Sequence, residues 1–71
     1  MDEPLQILCD ELASQGKTRR EIVLITAALE DPEDQLDMAE WLALHRGASR
    51  REIITEKHRL IRNRMKAQNQ E

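Results

Sequence analysis

Gly16-Lys17-Thr18 is the stretch of this sequence that comes nearest to a catalytic motif, since a glycine, a lysine and a hydroxyl close the phosphate-cradling loop GxxxxGKT. That loop requires a second glycine five positions earlier, on a turn that leaves a strand. Here the position is Glu11, and the residues before it repeat with the period of a helix, so the match is accidental. Neither His45 nor His58 has a nucleophile or a metal-ligating partner at useful spacing. Cys9 is the single cysteine, which excludes an internal disulfide, and the histidines do not complete a zinc set with it. The carboxylates stand at helix starts and on polar edges, where capping and solvation account for them. General acid–base catalysis needs such groups gathered in an enclosing pocket. The sequence therefore predicts no catalytic residue, cofactor, metal or small-molecule substrate, and a chain that is not an enzyme.

The elements that carry these residues read as four helices. Asp2 or Glu3 before Pro4 starts the first, because proline in a first turn forfeits no hydrogen bond. Leu5, Leu8, Cys9 and Leu12 lay one apolar stripe, with Cys9 as a small buried hydrophobe. Gly16 closes this helix after about Gln15 in the left-handed conformation that glycine tolerates. The second runs from about Arg19 to Glu30; Ile22 to Leu29 is apolar nearly all round and should be covered on several sides. Asp31-Pro32, with Glu33 and Asp34 in the first turn, starts a third that ends near Arg46 with Gly47 as its stop. Its apolar positions run from Leu36 to Leu44 and leave Glu33, Asp37 and Glu40 as a wet edge. The fourth begins after Ser49 and reaches at least Lys66. Ile53, Ile54, Leu60, Ile61, Met65 and Ala67 form its apolar side, while Arg51, His58, Arg59, Arg62 and Lys66 face the other way. Residues 1–66 are thus the helical domain, and 67–71, without a stop signal, read as a fraying tail.

Two of the helix joints use the same words. GKTRREIVLI at 16–25 returns 31 positions later as GASRREIITE at 47–56. In each, the hydroxyl of Thr18 or Ser49 can accept from the backbone three residues on, while Glu21 or Glu52 reaches back to the cap residue's own N–H. A duplicated αα-hairpin would produce this repeat, and so would two joints that converge on the same capping chemistry. Convergence is preferred, because outside the joint Cys9 aligns with Glu40 and Asp10 with Trp41.

A chain of 71 residues has a marginal core, and with Trp41 as its one aromatic residue that core is built from aliphatic side chains. The fold class is all-α: four short helices as two αα-hairpins in a small bundle, completed by self-association, most simply a homodimer. Ile22, Ile25, Leu29, Trp41, Leu42, Ile54, Ile61 and Met65 are the residues expected in the core or the subunit contact. No apolar run approaches the roughly 20 residues that span a bilayer, and no leader pattern opens the sequence, so a reducing, cytoplasmic setting without membrane contact is expected.

The net charge of −3 hides a division: residues 1–44 carry eleven acids against three bases, and residues 45–71 three acids against eight bases. The basic fourth helix is the binding candidate, through Arg51, Arg59, Arg62 and Lys66. LASQGKTRREI at 12–22 resembles the opening of helix-turn-helix DNA-binding domains, in which a leucine, a glycine, a hydroxyl cap and Glu-Ile start the first helix of the pair. The resemblance implies a recognition helix next, but the acidic start at Glu30 to Asp34 repels phosphates and leaves the motif incomplete. The sequence thus predicts an interaction or regulatory module that binds an anionic partner, either an acidic protein or, with helix four on the phosphates and Asn63 near a base edge, duplex DNA.

Overall fold

The computed structural model describes residues 3–68; Asp2 and residues 69–71 of the tail lie outside them. Its elements are α1 (Glu3–Ser14), α2 (Arg19–Thr26), α3 (Pro32–Leu44) and α4 (Arg50–Gln68). All regular structure among the described residues is helical. α1 packs most extensively on α3 and next on α2, while α3 and α2 both lean on α4.

Both predicted capping boxes form, with nearly the same geometry. Glu21 N–H donates to Thr18 Oγ1 at 3.2 Å and Thr18 N–H to Glu21 Oε1 at 2.9 Å. Glu52 N–H donates to Ser49 Oγ at 3.2 Å and Ser49 N–H to Glu52 Oε1 at 3.0 Å. The glycines differ. Gly16 has φ +81° and ends α1 in the left-handed region as expected, whereas Gly47 is not left-handed. α3 has already ended at Leu44, two residues short of the expected Arg46, with His45 as its cap. The His45 ring stacks on Trp41 with centroids 4.4 Å apart, and its Nδ1 lies 2.9 Å from Trp41 O, an oxygen that only accepts. A stacked side chain closes the second joint where a backbone rotation closes the first.

α2 is shorter than its apolar run, ending at Thr26 rather than Glu30. Thr26 Oγ1 folds back onto Ile22 O at 2.8 Å, and Ala28 turns left-handed at φ 68°, so the N–H that would continue the ladder leaves it. Leu29 remains buried without being helical, its carbonyl accepting from Gln35 Nε2 at 2.7 Å. Packing on α1 and α4 leaves part of the short α2 open: Val23 is 62% and Leu24 50% exposed, although its apolar run was expected to be covered on several sides.

One apolar cluster takes Leu8 and Leu12 from α1, Ile25 and Leu29 from α2 and its turn, Met38, Ala39 and Leu42 from α3, and Ile53 and Leu60 from α4. Of the residues expected in the core or subunit contact, Ile25, Leu29 and Leu42 are buried, and Ile22, Trp41, Ile54 and Ile61 pack against the cluster. Met65 is 57% exposed, and Cys9 is half-buried rather than buried. No helix among the described residues is long and apolar enough to cross a membrane.

Candidate anion-binding surface

A helix that buries one stripe presents the opposite one, and α4 does this over its whole length. The inward stripe is Ile53, Lys57, Leu60 and Arg64, at steps of four, three and four. The outward stripe is Arg51, Thr55, His58, Arg62 and Lys66, all exposed, with exposed Arg59 beside it. At 1.5 Å per residue, Arg51 to Lys66 spans about 22 Å. The four cations predicted from sequence therefore do share one side of α4, but they are not equivalent. Arg59 is tied through Nε and Nη2 to Glu56 one turn earlier, a partner that, with Asp37 beyond it, raises its pKa further.

Two cations of α4 fall on the inward stripe, and both bind the chain's own body. Lys57 Nζ donates to Leu24 O at 2.8 Å. That carbonyl lost its helical donor when Ala28 turned away, so the ammonium caps the end of α2. Burial pushes the Lys57 pKa below its usual value. Arg64 reaches the first turn of α3: Nε donates to Asp34 Oδ2 at 2.9 Å, Nη2 lies 3.3 Å from Asp34 Oδ1 and Nη1 3.0 Å from Asp31 Oδ2. Glu33 stands at 3.6 Å, and the hydrogen bonds to Asp34 with the three negative charges raise the Arg64 pKa. The positive half and the negative half of the sequence thus meet within one chain. Sequence reasoning missed both residues, although a strict count of the period places Lys57 and Arg64 on the same side of the helix as Ile53 and Leu60.

At the other end of α4 the two capping boxes come together. Gln15, just past α1, donates through Nε2 to Leu42 O at 2.8 Å, and Arg46 pairs with Glu11 at 3.7 Å, which joins the ends of α1 and α3. α2 and α4 leave this end side by side, since Lys57 on α4 reaches Leu24 on α2. The Glu21 carboxyl is held below its ordinary value first by the Thr18 N–H and hydroxyl, and then by the charges of Lys17 and Arg50, which places Arg50 beside the first joint. Glu52 is lowered likewise by the Ser49 N–H and hydroxyl, and by His45. Arg19, Arg20, Arg50 and Arg51, the paired arginines of the repeat, are therefore gathered at one pole of the molecule. All four are exposed, and none makes a salt bridge or a side-chain hydrogen bond among the described residues. Of these, sequence reasoning singled out only Arg51.

The concave parts of the surface offer little chemistry. A cleft of about 500 Å³ lies between the α2–α3 turn and α4, lined by Ala28, Asp31, Pro32, Ile61 and Met65, and its one cation, Arg64, is already engaged. A hollow of about 310 Å³ beside Trp41 is walled by Arg51, Glu52, Thr55 and Glu56. Among the described residues no three His, Cys, Asp or Glu side chains gather as a metal site would require. No protein-family profile, curated protein or solved structure matches this chain.

Proposed function

We propose that this chain is a small, non-enzymatic helical interaction or regulatory module of a reducing, cytoplasmic setting, which self-associates as a homodimer and offers the outward stripe of α4 to an anionic partner. The observation that carries this reading is the exposed line of Arg51, Arg62 and Lys66, left over after Lys57 and Arg64 have been used inside the fold. An acidic segment of another protein fits the charge. Duplex DNA is the second reading, favoured by the length of the stripe.

Self-association is supported by apolar surface. Ile7, Val23, Leu24, Leu36, Leu44 and Met65 stay 44 to 73% exposed in a chain that fully buries only seven large side chains. The two hairpins of the proposed bundle, α1 with α2 and α3 with α4, would each keep an unshielded edge that a second copy covers. Met65→Asp tests this without touching the buried core: it should halve the solution mass while the monomer stays helical, and an unchanged mass would remove Met65 from the contact. Binding is tested by titrating a fluorescent short DNA duplex and a labelled polyglutamate at two salt concentrations. Binding of either that weakens as salt rises supports the reading, and binding of neither contradicts it.

A further inference from the structure

We infer that the arginine pole at the two helix joints is a phosphate-contact surface for duplex DNA, with Arg19 and Arg20 of α2 extending the α4 stripe through Arg50 and Arg51. The inference rests on the anionic-partner reading above; it names the partner and relocates the centre of the site.

The first argument is a conflict with local rules. The opening turn of a helix carries the positive end of the macrodipole and favours acidic side chains, as α3 illustrates with Glu33 and Asp34. α2 and α4 each open on two arginines ahead of a single first-turn acid, Glu21 or Glu52, and none of the four arginines makes a salt bridge among the described residues. Residues set against the local preference without an internal gain are where function is expected to reside.

The second argument is rigidity. Each arginine pair lies inside a closed capping box, between Thr18 and Glu21 or between Ser49 and Glu52, so the guanidinium stems leave from fixed backbone positions. A fixed array of forked donors suits the regular phosphates of a duplex. An arginine cluster can also engage an acidic motif, which is held most firmly where a groove or a sheet edge takes its backbone. The hollow beside Trp41 is walled in part by Glu52 and Glu56, which repel such a segment. Single strands are disfavoured too, because the sole aromatic side chain, Trp41, is already stacked on His45.

The third argument is where the charge is cancelled. Toward the far end of α4, Arg59 is tied to Glu56 and Arg64 to Asp31, Glu33 and Asp34, so that end is a mixed field. At the joint pole, Glu21 and Glu52 keep their charges inside their capping boxes, but the four arginines together with Lys17 outnumber them.

The test is fluorescence anisotropy with a mixed-sequence DNA duplex across a salt series. It compares the full chain with Arg19→Gln/Arg20→Gln/Arg50→Gln/Arg51→Gln and, separately, with Arg62→Gln/Lys66→Gln. Each phosphate contact adds roughly 0.9 to the slope of log affinity against log salt, so losing the joint arginines should lower that slope by about 2 to 4 and weaken low-salt binding at least about tenfold. The quadruple variant should melt no lower than the parent, and the matching Arg→Lys variant should recover most of the binding, which separates lost contact from lost folding. If the quadruple variant binds as the parent does while Arg62→Gln/Lys66→Gln does not, the inference is overturned and the α4 reading stands. If the parent itself ignores duplex DNA at low salt, this inference fails whatever an acidic polypeptide does.

Discussion

Arg50 and Arg64 stand on the same helix, 14 positions apart, and have opposite fates. Arg64 lies against Asp31, Glu33 and Asp34 and fastens the second half of α4 to the start of α3. Arg50 stands at the joint pole, where Glu21 and Glu52 bond to backbone N–H groups and no carboxylate among the described residues forms a salt bridge with it. The two differ in what the rest of the chain brings to them, not in residue type or helix. An arginine enclosed by its own protein's acids is a fastening; one left unpaired on a rigid support is available to something else.

The largest effect that sharpens this contrast is at the fastening. Asp34→Ala removes the bidentate partner of Arg64 from a site where Asp34 is 7% exposed, and should cost about 1–2 kcal/mol in urea unfolding. Arg50→Gln should move stability by less than about 0.5 kcal/mol. Equal costs would erase the distinction between the two ends.

A smaller effect belongs to the joints. Thr18→Ala and Ser49→Ala should each cost about 1 kcal/mol, and by similar amounts, because the two boxes are built alike. Glu21 and Glu52 both titrate below the ordinary carboxylate value of 4.5, so their contribution is present above that pH and is lost as pH falls through the folded-state values. Each cap variant should show a shallower acid loss than the parent in melts taken from neutral pH downward. Unequal costs for Thr18 and Ser49 would show that the left-handed Gly16 and the His45–Trp41 stack do not support their joints equally.

The smallest effect expected is a gain. Both ends of the molecule use one left-handed residue, but the joint end uses Gly16 and the clamp end uses Ala28, whose Cβ is strained at φ 68°. Ala28→Gly should stabilise by about 0.5–1 kcal/mol, read from the urea midpoint. A loss instead would mean that the Ala28 methyl contributes more in the cleft beside Ile61 and Met65 than its backbone costs.

What was legible in the sequence was local. The capping boxes join residues three apart, and Pro32 and Gly16 mark a start and a stop by their own chemistry, so each could be read without knowing the fold. The all-helical class and the outward stripe of α4 followed from periodicity. The missed features join distant positions: Lys57 to Leu24, Arg64 to Asp34, and Arg50 to the neighbourhood of Glu21. The helical period puts Lys57 and Arg64 on the inward side, but the sequence reading assigned neither residue to a face. The early end of α2 had no marker at all, because alanine carries no signal for a left-handed turn and the donor that makes the turn tolerable comes from another helix.

The most direct test of the account is the solution mass by sedimentation equilibrium, at low and moderate salt, with and without a mixed-sequence DNA duplex. The account predicts a dimer at both salt concentrations that gains the mass of the duplex at low salt and releases it at the higher one. A monomer that ignores the duplex at both would contradict it.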